Sequence, residues 1–491
     1  MSSRSRREFL ITTGTGVAAG LLSSTASHAQ PPAATTYPLR TRRNVVSAAA
    51  RGDVTSLAKG VDEMRKLATA KPSDPRGWVL QAFIHGDCNQ FTKCQHGNWF
   101  FPPWHRSFIY YFEQLIQHFS GDANFALPYW DWSRSHGVPA SFYGAANPLN
   151  DLLSIRSKCG SSAPTAGRGR TVTDQFSQSD LNTFVGTAVI NRIQQNPDYA
   201  TYGGGNPGTG ELEGTPHNFI HRWVGGAKFS NMVQTFSPLD PIFWMHHCNI
   251  DRLYSNWLTR PNHFPPPDSA WRGTSFNDFF DKDGNPVGSQ FTCGQTVDSK
   301  VMGYVYDDTM EMPQTLTQAT RSSTPKVQIV GSVSAAKATK QQGVLAFVSE
   351  AAPAAEARRF MNAAALGVSD YNARLQIEGV KPPARQNTAV HVFLGPGITA
   401  TTPVSAPGYV GTFTFFNGEG TAADHHPGAR NVLLNASEAL QRLYGDSSLP
   451  EGANLTVSLI TRPLYTGVTA FATLEEIQPA RVQLDIVSLS S

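Results

Sequence analysis

Pro216-His217-Asn218-Phe219-Ile220-His221-Arg222-Trp223, read with Asp240-Pro241-Ile242-Phe243-Trp244-Met245-His246-His247, decides the fold of this chain. His217 and His221 stand four apart. On a helix that spacing puts two imidazoles one turn apart on the same face. A further histidine follows on a second predicted helix, which Asp240 and Pro241 begin and which reaches Trp257. Three imidazoles from two helices can hold one transition-metal ion. The pair alone is a weak signal, because short motifs often match by accident. It gains weight from a second set upstream, His85, His96 and His105.

Neutral imidazole is a borderline donor that suits copper and zinc. Six imidazoles without an obvious carboxylate argue against a hard metal such as magnesium. A closed structural zinc site would include thiolates, and the spacing of the five cysteines fits none. Two sets of three, each leaving open positions, suit a pair of copper ions working on one dioxygen. Periodicity does not choose between His246 and His247. Phe243, His247, Ile250 and Tyr254 form one stripe, and His246, Ile250, Leu253 and Trp257 form another. The other histidines read as packing or solvent residues, with His425-His426 a weak surface-metal candidate.

Composition narrows the classes. With 491 residues, 40% hydrophobic and 16% charged, the chain can bury a large core. Its formal net charge of +3 gives no electrostatic case for nucleic acid. No apolar run reaches the ~18 residues of a membrane span. Residues 1–29 read as an export signal: Ser5-Arg6-Arg7-Glu8-Phe9-Leu10 matches the twin-arginine pattern, an apolar stretch follows, and Ser27-His28-Ala29 resembles a cleavage site. This predicts a periplasmic or extracellular protein. The five cysteines, Cys88, Cys94, Cys159, Cys248 and Cys293, leave at least one unpaired in a monomer. Oligomeric state is not legible.

Residues 37–312 read as a mainly helical catalytic domain. Helices are predicted over 37–71, from Asp74-Pro75 to His85, over 104–119, near 179–194, and in the two opening stretches. Residues 87–103 read as a loop. Residues 313–326, rich in Thr, Ser and Gln, read as a linker. Beyond them period-two alternation dominates, as in Tyr371-Asn372-Ala373-Arg374-Leu375 and Val482-Gln483-Leu484-Asp485-Ile486. Residues 327–491 are therefore expected to form a β-rich, sandwich-like domain.

The passages Cys94-Gln95-His96-Gly97-Asn98-Trp99-Phe100-Phe101-Pro102-Pro103-Trp104-His105-Arg106 and Asp240-Pro241-Ile242-Phe243-Trp244-Met245-His246-His247-Cys248-Asn249-Ile250-Asp251-Arg252 resemble the two copper motifs of tyrosinases and polyphenol oxidases. These type 3 copper proteins also include the haemocyanins. The resemblance implies a four-helix bundle holding two copper ions. It implies His85, His96 and His105 on the first copper and His217, His221 and His247 on the second, with His246 a non-ligand neighbour. It implies a thioether from Cys94 to His96, against which stands a disulfide between Cys94 and Cys88. Phe101 corresponds to an aromatic packed on a ligand of the second copper, and Phe236 is the nearest match to the gate residue. Glu213 and Asn218 correspond to the pair that holds a water near the second copper, with Glu211 an alternative to Glu213. Arg106 and Asp251 are either a buried pair between the copper helices or surface charges. Tyr304-Val305-Tyr306 resembles the tyrosine motif that closes the catalytic domain.

The implied reaction is oxidation of small phenols by O2. Monophenols become o-diphenols and o-diphenols become o-quinones. The C-terminal domain is expected to shield the site, with residues 409–426 the best candidate for the blocking segment. The rivals are a strict catechol oxidase, an o-aminophenol oxidase and a haemocyanin-like oxygen carrier.

Overall fold

The computed structural model describes residues 39–490, apart from 89–90, 154–174, 227–229, 289, 309–325, 336, 342, 351–352, 354, 368–369, 386, 417–429, 445–453, 466–470 and 478. The export signal, Cys159, His425-His426 and all but the last residue of the 313–326 linker lie outside these. Among the described residues, no helix is long and apolar enough to cross a membrane.

The helical part is built on Arg51–Ala70, Trp78–His85, Phe101–Ser120, Asn218–Gly225 and Ile242–Leu258. Arg51–Ala70 buries Leu57, Val61 and Met64 on one face, the stripe an amphipathic helix presents to a core. Phe101–Ser120 starts three residues earlier than the pattern predicted. Pro102 and Pro103 lie inside it, because proline in a first turn lacks only an N–H that would have no partner there. It stops at Gly121, whose φ of 73° is a left-handed conformation that glycine adopts without cost. Ile242–Leu258 is the central helix, with every residue but Asn256 buried.

The predicted helix near 179–194 is instead a short turn, a π-type turn at Leu181–Val185, and a helix at Thr187–Gln195. The start of the helical 37–71 expectation is also corrected. Arg40–Arg42 is a strand, β1, which pairs in parallel with Tyr304–Tyr306, β2. A charge network explains the pairing. Asp251 accepts hydrogen bonds from Arg106 Nε at 2.5 Å, Arg42 Nη1 at 3.2 Å, Tyr304 Oη at 2.7 Å and Tyr306 Oη at 2.5 Å. Arg42 Nε also reaches Glu113 at 2.8 Å. Arg106 and Asp251 are thus a fully buried pair joining the helices Phe101–Ser120 and Ile242–Leu258.

Among the described residues nine further strands follow: β3 Lys326–Ala335, β4 Lys337–Gln341, β5 Val344–Val348, β6 Tyr371–Val380, β7 Thr388–Leu394, β8 Tyr409–Thr414, β9 Arg430–Asn435, β10 Thr456–Pro463 and β11 Arg481–Ser490. They form a five-stranded sheet of order β4-β5-β10-β7-β8 and a four-stranded sheet of order β3-β11-β6-β9. All pairings are antiparallel. Phe347, Val392, Phe413 and Leu459 of the first sheet share one core with Leu375, Leu434 and Leu484 of the second, the arrangement of a sandwich. Phe416, just past β8, leaves this core and joins that of the helical part.

Asp251→Ala is expected to destabilise the chain by about 3–5 kcal/mol, because it takes a shared carboxylate away from two buried guanidinium groups. Breaking the exposed Lys66–Asp62 pair should leave stability nearly unchanged, because solvent screens it. Denaturant midpoints of the two variants check the contrast.

Candidate metal centre

Each histidine arrives by a local device. His85 is the last residue of Trp78–His85. Gly86 follows, and a Cβ there would lie 2.6 Å from Thr235 O. Glycine therefore lets residue 235 come close enough for its carbonyl to accept the His85 Nδ1–H at 2.6 Å. His96 comes from the loop before Phe101–Ser120, with Nδ1 3.4 Å from Cys94 Sγ. His105, the fifth residue of that helix, gives its Nδ1–H to Phe101 O at 2.8 Å, one turn back.

His217 ends a π-type turn, Glu213–His217, that contains Pro216. Proline offers no N–H to the preceding turn and crowds it, so the coil widens without breaking. Asn218–Gly225 continues as ordinary α-helix and sets His221 one turn on, with the two rings 4.6 Å apart. His217 Nδ1 bonds Asn218 Oδ1 at 2.9 Å, and His221 Nδ1 bonds Met232 O at 2.9 Å. His247 faces them from Ile242–Leu258, its ring 5.0 Å from His217 and 5.6 Å from His221.

The donor atoms of His85, His96 and His105 lie within 4.8 Å of one another, as do those of His217, His221, His246 and His247. All seven histidines are buried. The two sets adjoin: His105 stacks on His247 at 4.4 Å, and His96 lies 5.5 Å from His217. Burial lowers the pKa of every one, His85 to about 4 and His217 to about 3. The rings are therefore neutral at neutral pH, the form that binds metal.

The tautomers are set as well. In His85, His105, His217 and His221 an oxygen accepts the Nδ1–H, which leaves the Nε2 lone pair facing inward. Nε2 of His85, His96, His105 and His217 is buried without a protein partner. Nε2 of His221 and His247 face each other at 3.4 Å. Such a set of buried lone pairs fits two copper ions. His246 differs. Trp132 Nε1–H donates to its Nδ1 at 3.1 Å, so the neutral ring carries its proton on Nε2 and offers no lone pair there.

Aromatic rings wall the centre. Phe101 lies 4.8 Å from both His105 and His217, touching both sets. Phe243 packs on His247 at 4.2 Å and His85 at 5.1 Å. Phe91 packs on His96 at 5.0 Å and His85 at 5.4 Å. Phe236 is buried, but among the described residues no ring contact joins it to a site histidine. Phe416 stacks on His221 at 4.0 Å and 24° and lies 6.1 Å from His96 and His217.

Glu213 accepts the Gly97 N–H at 2.9–3.0 Å, and burial pushes its pKa up to about 7. Glu211 is occupied elsewhere, paired with Arg192 at 2.6 Å. Cys88 is disulfide-bonded, while Cys94, Cys248 and Cys293 form no disulfide, so the Cys88–Cys94 disulfide is ruled out. Sequence reasoning missed Phe91, Phe243, Trp132 and the carbonyls of Thr235 and Met232. Main-chain acceptors leave no trace in residue type, and a lone aromatic in an aromatic-rich chain carries no signal.

The family described as the common central domain of tyrosinase matches residues 75–260. Tyrosinase HcTyr1 of Hahella sp. (strain CCB-MM4) is 30% identical over 348 residues, covering 60% of this chain and 69% of that protein. Aureusidin synthase of Antirrhinum majus is 30% identical over 334 residues, covering 60% of this chain. The chain spans 56% of that plant relative's length and 45% of the chloroplastic polyphenol oxidase of Malus domestica. Among solved structures, latent aurone synthase superposes with a TM-score of 0.65 at 21% identity, covering 92% of this chain and 90% of that one. Latent apple tyrosinase gives 0.59 at 20% identity, covering 92% and 98%. These two likenesses establish the shared fold.

His247→Ala is expected to lower bound copper from two ions per chain to one, whereas His246→Ala should leave the count unchanged. Elemental analysis of the purified chains decides.

Proposed function

The chain belongs to the tyrosinase and polyphenol oxidase family of dicopper phenol oxidases, and from that premise we propose that it takes monophenols to o-diphenols and these to o-quinones, latent until its β part is displaced. The observation that carries the reading is the double set of buried, neutral imidazoles whose free nitrogens converge.

His85, His96 and His105 hold one copper, and His217, His221 and His247 the other. Bound there, the pair supplies the redox chemistry with O2. The remaining work belongs to the chain. Phe101 and Phe243 fix the ring planes, and the oxygens on the Nδ1 side fix the tautomers. The rings lining the centre exclude bulk water and suit a phenol. The phenol must lose its proton, and Glu213 with Asn218 holds the water that takes it. A carboxylate with its pKa near 7 is matched to that task, because proton transfer is most effective near the working pH. Cys94 and His96 form a thioether, losing two protons and two electrons to O2, the enzyme's own oxidant. The 3.4 Å approach of Cys94 Sγ supports this.

Latency is supported by Phe416, whose ring lies on His221 where a phenol would stack. The β part is fastened by Arg374–Asp198 at 2.7 Å, by Arg222 to Asn387 Oδ1, and by main-chain bonds between Thr209 and both Asn431 and Leu433. Residues 1–29 direct export by the twin-arginine route, and 313–326 is the segment whose cleavage releases the β part.

Oxygen uptake with catechol and with a monophenol, followed through quinone formation, tests the reading. Quinone from catechol alone would make the chain a strict catechol oxidase, and O2 binding without turnover would make it a carrier. Cleavage within 313–326 and removal of the β part should raise catechol oxidation about ten-fold or more, because a blocked site lowers apparent affinity by its open fraction. Equal activity before and after removal would overturn latency.

A further inference from the structure

We propose that Thr414 is a positioning residue for substrate choice: while β8 is in place, its main-chain carbonyl occupies the Asn218 carboxamide, so unplugging the centre at Phe416 frees diphenol oxidation but not monophenol hydroxylation. The proposal rests on the reading of Asn218 given above.

β8 is an edge strand of the five-stranded sheet, with β7 on one side only. Its other edge presents unpaired main-chain groups, and carbonyls two residues apart along a strand point the same way. The two here are Thr412 O and Thr414 O. Thr412 O accepts from Thr215 Oγ1 at 2.7 Å, and Thr414 O accepts from Asn218 Nδ2 at 3.0 Å. Thr414 Oγ1 returns a hydrogen bond to Gly214 O at 3.2 Å. The edge of β8 is thus laid along residues 214–218, the segment that carries His217. Two residues beyond Thr414, Phe416 reaches His221.

The carboxamide of Asn218 is consequently engaged at both ends. Its oxygen takes the Nδ1–H of His217 and one of its N–H groups goes to Thr414. A carboxamide has a second N–H. Beside Asn218 lies a cavity of about 20 Å³, walled also by Thr209, Phe413, Phe415 and Arg430, roomy enough for one water. Glu213 is not part of that wall. A water held by the second N–H of Asn218 in this cavity would sit on the seam with the β part, away from Glu213. Plug and clamp are separate devices on one strand: a side chain that fills the centre, and a carbonyl that holds the amide.

The test uses copper-loaded full chain with Phe416→Ala, and the same chain after cleavage in 313–326 and removal of the β part. Asn218→Gly is added to each. On the proposal it leaves the monophenol-to-diphenol ratio of the full chain within about two-fold and lowers that of the released chain about ten-fold or more. A comparable fall in the uncleaved chain overturns the clamp and leaves the role of Asn218 standing. No fall in either chain overturns that role, and the clamp with it. A readout without turnover comes from nuclear magnetic resonance of the reduced, diamagnetic holoenzyme with no substitution. One side-chain amide proton of Asn218, assigned by its loss in Asn218→Gly, should be protected from solvent exchange in the full chain and lose protection on release. Equal exchange in both forms overturns the proposal, including where Phe416→Ala does not fold.

Discussion

The structure depends on where the imidazole protons sit. Four of the six rings proposed as ligands spend their Nδ1–H on an oxygen fixed by the chain: Thr235, Phe101, Asn218 and Met232. Each such bond does two things. It locks the ring plane, and it puts the remaining lone pair on Nε2, facing its neighbours. Converging lone pairs without protons are unfavourable in a dry interior. The fold holds them there because large aromatic side chains and a buried charge network keep the helices from relaxing. A transition-metal ion relieves the mismatch, so affinity and geometry come from the same bonds.

That network is the second constraint. Asp251 collects two guanidinium groups and two phenols, tying the helices that carry His105 and His247 to the first and last strands of the helical part. Buried ion pairs of this kind add little net stability over apolar packing, but they are costly to break. Their use here is registry. Arg106 follows His105 directly, and Asp251 lies one turn beyond His247, so the pair fixes how the two helices slide against each other.

The β part meets the centre through the exposed edge of one strand. An unpaired strand edge is a liability that proteins cover, and here the covering element is the ligand-bearing segment 214–218. The strand protects its own edge, brings Phe416 onto His221 and engages Asn218 in one docking. Moving β8 therefore changes access and hydrogen bonding together.

Sequence by itself determined the family, its copper cofactor and the two-part fold. The spacing of His217 and His221, the two long motifs and the switch to period-two alternation after residue 326 identified the histidine-bearing helices, the copper class and the sandwich, because these are properties of residue type at a fixed interval. It did not settle what depends on surroundings. Helical periodicity could not separate His246 from His247, because Ile242–Leu258 is buried on all sides and has no polar face to orient it. Only the indole N–H of Trp132, 114 residues away in the chain, gives His246 Nδ1 a donor that His247 Nδ1 lacks among the described residues. Arg40–Arg42 was read as helix because its strand partner lies over 260 residues away. Phe416 could be placed no closer than a range of residues, since nothing local marks a phenylalanine that leaves its own core for another. Tertiary structure alone decided these points, because each depends on a contact between segments distant in the chain.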